Sequence, residues 1–357
     1  MKNLVLFLVV VISINTGCRN NSNTSHQINK IEIKLNEIDS INRGDVDLSL
    51  AIQYPNSNYL YCTNNMGNAD KLQIFRISLN TFKIDKILDI PKGDFFEAYF
   101  VDEIDEKIYL FMNEELNSYT FESKLLKNIK IDVGDIGFIT NLKPFSFYPY
   151  IINEKLYVEF FPNIDGTYAN KEFYTHPFQV AVDLNSTKTQ FINTKYPAEY
   201  KNHCYGFNFI PDRFFTDDNL QIVTFPYNDS AYIYDLHGVH LKTVFFGTNK
   251  SHEFQHIPYT EIDKLQQEVF DNFNSDMPFY GFSTFIPNQN ILVRQYFDFN
   301  KEEERLDNTI ILYDNEWNYI GETMLNKNLS LFGSIKHGLL HLKAKDDKIK
   351  IYSVKYR

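Results

Sequence analysis

Basic residues are in short supply in this chain. Its 357 residues carry 35 Lys and Arg against 46 Asp and Glu, for a net charge of −11. No Lys/Arg cluster breaks the deficit, and phosphate backbones need a basic stripe, so nucleic acid is excluded as a partner. Cysteine is nearly absent, with three residues, Cys18, Cys62 and Cys204. Tryptophan is reduced to Trp317 alone. There is no Gly-rich phosphate loop, no nucleophile elbow and no series of acids spaced for calcium. No cofactor is therefore expected. What is abundant is Phe, 32 residues, and Tyr, 24, in a chain that is 16% aromatic. Such residues favour pleated, half-buried surfaces, which points to an all-β fold.

The one long apolar run lies at the start. Lys2 gives a short positive region, and Leu4–Ile14 is too short to span a bilayer as a permanent helix. Asn15-Thr16-Gly17-Cys18 follows and resembles the lipobox of bacterial lipoproteins, in which a small residue permits cleavage before a cysteine that is then lipidated. Asn15 departs from the aliphatic residue usual at its position. An ordinary signal peptide is the alternative. On this reading residues 1–18 are a lipoprotein signal peptide and Cys18 the lipidation site. Residues 19–27, rich in Asn and Ser, form a flexible tether, and 28–357 the folded domain. The expected address is the cell envelope, anchored to a bacterial membrane and assigned to the outer membrane, with the choice of membrane face left open.

Asn219–Gly247 shows the grammar of the rest. Leu220–Phe225, Ala231–Asp235 and Leu241–Phe246 read as strands, joined by turns rich in Pro, Asn, Asp and Gly. The same pattern recurs at Tyr59–Thr63, Lys107–Phe111, Lys155–Glu159, Asn219–Val223, Asn290–Arg294 and Gly338–Leu342, whose starts are 48, 48, 64, 71 and 48 residues apart. Each has an apolar segment before it and a strand after it, and five units add a fourth strand. The last unit ends without one, while Ile28–Leu35 alternates cleanly with no hairpin partner nearby. The predicted fold is therefore a six-bladed β-propeller of four-stranded antiparallel blades, with Ile28–Leu35 completing the last sheet. Two packed sandwiches, or seven blades, are the alternatives. Cys62 then falls on a strand and Cys204 in a loop two blades away, so two buried thiols are expected rather than a disulfide.

The long gaps mark insertions. One is Pro162–Phe178, between strands two and three of blade three. The other is Gly247–Gly281, between blades four and five. In the second, Thr260–Asn274 carries Ile262, Leu265, Val269, Phe270 and Phe273 largely on one face, behind a capping box of Thr260 and Asp263. One helical insertion is predicted there. A lipobox followed by a Phe-, Tyr- and Asn-rich six-bladed propeller resembles the TolB-like six-bladed propeller lipoproteins of Bacteroidota, many of them domains of unknown function. The resemblance implies a cell-envelope binding or scaffold protein and brings no functional residues with it.

In a propeller both insertions open on one face, and His176, His203, His252 and His256 map there too. His237, His240 and His337 map to turns on the opposite face, His341 to a strand and His26 to the tether. His252-Glu253-Phe254-Gln255-His256 is formally HExxH, which on a helix places two imidazoles together for zinc with Glu as base. Pro258 follows too closely for that helix, and Glu261 and Glu268 are not spaced as a third ligand. His252 and His256 thus remain weak metal candidates. Tyr168, Phe173 and Tyr174 are candidates for stacking on a sugar or peptide, or for core packing. Asp165-Gly166 reads as a turn and Lys301–Arg305 as a solvated loop tip. The expected function is a membrane-anchored module binding an envelope protein, a peptide or a glycan. The alternative is a hydrolase or lyase at the channel mouth using one of the four histidines with a carboxylate such as Glu253. The enzyme requires at least two of these groups to converge. An assembly scaffold working through the blade sides is a third possibility.

Overall fold

The computed structural model describes residues 34–42, 46–130 and 150–355, less short stretches within them; those of three or more residues are 65–69, 92–97, 160–168, 206–209, 263–276, 301–304, 326–329, 336–338 and 344–347. By contacts the chain divides into residues 1–30 and 31–357. The first unit, including Cys18 and the tether, lies outside the described residues.

The second unit is an all-β propeller of four-stranded antiparallel blades. Five sheets use four consecutive strands each. The first is Val46–Ile52, Tyr59–Asn64, Lys71–Ser78 and Ile84–Pro91. The second is Ala98–Asp102, Lys107–Met112, Glu115–Thr120 and Leu125–Lys130. The third is Tyr150–Ile152, Lys155–Glu159, Gln179–Asp183 and Thr189–Ile192. The fourth is Asp212–Phe215, Gln221–Thr224, Ser230–Tyr234 and His240–Phe245. The fifth is Phe279–Ile286, Ile291–Asn300, Arg305–Asp314 and Tyr319–Leu325.

A sixth sheet is composite. Ser330–Ile335, Leu339–Lys343 and Lys348–Lys355 are joined on the outside by Lys34–Asn42 from the other end of the chain, paired from Lys34↔Lys355 to Asn42↔Lys348. The unpartnered N-terminal segment does complete the last sheet, but the strand runs later than expected. Lys34 and Leu35 are its only overlap with Ile28–Leu35, and 28–33 lie outside the described residues.

Burial explains why these segments stack as blades. Middle strands are covered on both faces, as in Tyr59–Asn64 and Gln221–Thr224, whereas Leu125–Lys130 and His240–Phe245 are mostly exposed. Successive sheets share apolar cores: Ile74 and Leu88 with Tyr99 and Leu110, Phe111 and Leu116 with Val158 and Val180, Ile222 and Ile233 with Tyr296 and Ile311. A strand sandwiched between two sheets has no wet face, which is why these strands read as nearly continuous apolar runs. The first strands of neighbouring sheets meet, Asp212–Phe215 beside Phe279–Ile286 and Phe279–Ile286 beside Ser330–Ile335.

Several expectations shift. The fifth sheet's central hairpin continues through polar residues to Asn300↔Arg305, beyond the expected Arg294, because its neighbouring strand also starts early, at Phe279. His240 opens the outer strand of the fourth sheet rather than standing in the turn. Of the expected helix Thr260–Asn274, the described part is one turn, Tyr259–Ile262, and 263–276 lie outside the described residues. Cys62 and Cys204 are buried thiols in no disulfide. The turn before His240 is as read from its sequence. Gly238 takes φ 78°, donates to the Asp235 carbonyl at 3.0 Å, and the Asp235 side chain accepts from Val239 N at 2.8 Å.

Candidate functional site

The described parts of both insertions and of the connection between the third and fourth sheets pack into a single lobe. From the first insertion comes a 3-10 turn, Lys171–Thr175, capped by Asn170, whose side chain accepts from Glu172 N at 3.0 Å. From the connection comes a short helix, Ala198–Asn202, packed on that turn. From the second insertion come Ile257–Pro258 and the turn Tyr259–Ile262. His203–Cys204 and Ile257–Pro258 pair as a two-stranded ribbon, His203↔Pro258 and Cys204↔Ile257.

Aromatic rings fill the inside of the lobe. Tyr174 meets Tyr196 at 5.0 Å, Tyr200 at 5.6 Å and Tyr259 at 6.4 Å between ring centres. Tyr259 Oη donates to the Tyr200 carbonyl at 2.6 Å, and Tyr227 N donates to Tyr200 Oη at 3.1 Å. These contacts place Phe173 and Tyr174 in the core with Phe178 and Phe225. They are not rim residues offered to a ligand. A ring that can be buried among others gains more from leaving water than from waiting at a surface. Tyr168, Asp165 and Gly166 lie outside the described residues.

The second insertion is bolted to the fourth and fifth sheets by a polar cluster that the sequence reading missed. Arg294 is fully buried, at 0% exposure. Its guanidinium donates to the carbonyls of Phe246 at 2.7 Å, Phe225 at 2.9 Å and Asn228 at 3.0 Å, and lies 3.7 Å over the Tyr280 ring. Burial lowers its pKa, while Tyr280, Asp229 and Asp212 act the other way. Tyr280 Oη donates to Asp229 Oδ1 at 2.5 Å and accepts from Thr248 N at 2.9 Å. Thr248 Oγ1 donates to Glu322 Oε2 at 2.7 Å, and Tyr313 Oη donates to the Gly247 carbonyl at 2.7 Å. At Gly247 a Cβ would stand 2.7 Å from Asp229 Oδ1, so only glycine lets the chain pass the carboxylate there. A detectable sign was present in the sequence: Arg294 is the lone cation in the apolar run Ile291-Leu292-Val293-Arg294, and a buried charge demands partners.

His252 joins this cluster. Its Nε2 lies 3.0 Å from Asp229 Oδ1 and its Nδ1 3.0 Å from the Lys250 carbonyl oxygen. Both neighbours are acceptors, an arrangement that favours the protonated ring. The Asp229 hydrogen bond raises the His252 pKa, against the pull of burial and with help from the Lys250 carbonyl. Burial pushes Asp229 up, but the hydrogen bonds from His252 and Tyr280 outweigh it and leave Asp229 below its usual value.

The pentapeptide His252–His256 is therefore not a helical metal motif. It has no helical turn to bring residues i and i+4 to one side. His252 turns toward Phe254, Tyr280 and Tyr296, whereas His256 turns toward His203, 3.8 Å away between ring centres, and Tyr205. Glu253 and His256 are exposed, and His176 and His203 half-exposed. Partial burial, then the neighbouring His256, lower the His203 pKa. Among the described residues no three His, Cys, Asp or Glu side chains gather as a metal cluster. Of the candidates, only His203 and His256 converge.

A second buried group lies beneath the lobe. Arg213 is ion-paired with Glu159 and lies 4.6 Å over the Tyr150 ring. Burial pushes Glu159 up to about 7, with Arg213 opposing. Asp212 accepts from the backbone N of Ser283 on the next sheet and from Arg213 N. An open cavity of about 210 Å³ is elsewhere, at the opposite end of the third sheet, lined by Lys155, Asp183 and Lys188 among others.

No family model matches the chain, and no curated protein does. Among solved structures it is similar to a member of the DUF4221 family from Bacteroides vulgatus, at 13% identity and a TM-score of 0.66, over 91% of this chain and 99% of that one. It is also similar to an oligogalacturonate lyase in complex with manganese, at 12% identity and a TM-score of 0.46, over 89% of this chain and 80% of that one. At 13% identity the likeness to the first is one of fold.

Proposed function

We propose that the chain is a binding platform of the bacterial cell envelope, docking a protein, peptide or glycan through its insertion-bearing face. On this reading the six sheets are the blades of one closed ring, clasped by Lys34–Asn42, as in the TolB-like propellers that the sequence resembles. The observation that carries the proposal is the fusion of three separate segments into one rigid lobe. The lobe is filled by aromatic rings, pinned by Arg294, and presents His176, Glu253 and His256 outward. Long insertions that are braced in this way serve recognition more often than short loops do. The fold of the DUF4221 structure, spanning nearly all of that chain, is consistent with such a module.

The membrane address rests on Lys2, Leu4–Ile14 and the Asn15–Cys18 motif, with Cys18 as the lipid-bearing residue and the outer membrane as its destination. No helix among the described residues is long and apolar enough to cross a membrane. The alternative, a hydrolase or lyase, draws little support from His252, whose two nitrogens face the Asp229 carboxylate and the Lys250 carbonyl. The platform is tested with a diazirine cross-linker placed at His176 or Glu253 in the full chain, with Leu125, exposed on the outer strand of the second sheet, as control. A discrete adduct from the lobe positions only is expected. No adduct from either lobe position, or the same adducts from all three, would refute it.

A further inference from the structure

The pair His203 and His256 has no part in holding the lobe together by hydrogen bonds. No hydrogen bond joins either ring to another described residue, whereas the nitrogens of the nearby His252 face the Asp229 carboxylate and the Lys250 carbonyl. The two rings are 3.8 Å apart between centres and tilted by 43°. His203 comes from the connection between the third and fourth sheets and His256 from the second insertion, brought together because His203 pairs with Pro258 two residues beyond His256. His256 is exposed and His203 half-exposed, so water and ions reach both.

We propose that His203 and His256 form a two-nitrogen site for a borderline divalent transition metal, copper(II) before zinc or nickel. Neutral imidazoles are ligands for these ions, and the affinity order among them places copper(II) first. The ribbon fixes both backbones, so little freedom is lost on chelation. The net charge of −11 enriches cations around the protein. Two protein ligands leave the remaining positions to water or to a donor from a bound molecule. The site is on the platform face but does not depend on the platform reading, since a metal can bind here whether or not a partner does.

The test uses the full chain freed of metal with a chelator, titrated with copper(II) and then zinc by calorimetry in parallel with proton NMR of the imidazoles. One saturable equivalent is expected, with His203 and His256 ring signals broadened or shifted and His252 unmoved. His256→Gln, at an exposed position where folding is not at risk, weakens binding at least about tenfold, and His203→Gln does the same. His237→Gln, on the opposite face, leaves it unchanged. Binding weakens as the pH falls, because protons compete with the metal for the ring nitrogens. No saturable binding, or binding that survives both substitutions unchanged, would overturn the assignment. Cross-linking failure at His176 and Glu253 would leave this result untouched, and the two readings are separable.

Discussion

Replacing Arg294 with Met tests whether the lobe is truly pinned from below. Met keeps most of the volume and removes the charge and all donors. Three carbonyls, of Phe246, Phe225 and Asn228, lose a charged partner. Hydrogen bonds to charged groups are worth roughly 1.5–3 kcal/mol each. Their sum is not the expected loss, because the variant also escapes the cost of burying a guanidinium, several kcal/mol. Removing one member of a buried, hydrogen-bonded charge group typically destabilises by about 3–5 kcal/mol, and that is the value expected here. Against a total stability of about 5–15 kcal/mol it is a large share. The measurement is denaturant unfolding followed by fluorescence of Trp317. That ring stands 5.4 Å from Phe246, whose carbonyl Arg294 holds, so the reporter is local. Arg294→Lys, which keeps charge without the planar fork, should fall between wild type and Met. A Met variant within about 1 kcal/mol of wild type would show that the carbonyls find other partners and that the pin is dispensable.

The His252–Asp229 pair predicts a pH dependence. The His252 pKa is raised on folding, so its contribution is complete below about pH 6.5 and fades as pH rises through the folded value. The Asp229 pKa is lowered, so its contribution holds above about pH 3.8 and fades as pH falls through the folded value. The stability difference between wild type and His252→Gln should therefore be largest near pH 5–6, at about 1 kcal/mol because Asp229 is partly exposed, and smaller by pH 9. An equal difference at both pH values would sink the coupling of His252 to Asp229. The anchor predicts that Cys18→Ala abolishes incorporation of labelled fatty acid and releases the chain from the membrane fraction; unchanged labelling would place the lipid elsewhere or nowhere.

Period-two alternation and turn residues were enough to locate most of the strands. Lys155–Glu159 has the bounds read from the sequence, because a strand's faces and the Asp and Gly of its turns are local properties. The terminal clasp was legible for a different reason. A segment with strand periodicity and no nearby partner must pair with something distant, and the last unit lacked one strand. Its true bounds, Lys34–Asn42, were not legible, since the partner strand Lys348–Lys355 sets the register. Tyr174 was ambiguous for the same reason that all aromatics in this chain are: ring chemistry suits a core and a ligand platform equally.

The sequence alone determined the class of fold, the repeat and the places of the two insertions. Each depends on patterns within a few dozen residues. Only the tertiary structure decided which polar groups meet. Asp229, His252, Tyr280 and Arg294 come from a turn, an insertion and two strands, and no spacing connects them. The same holds for His203 and His256, 53 positions apart in the chain yet nearly touching. The pentapeptide that looked like a metal motif was divided between them. A local pattern gains its chemistry only from the backbone conformation that presents it, and here that backbone is a loop bent over a propeller rather than a helix.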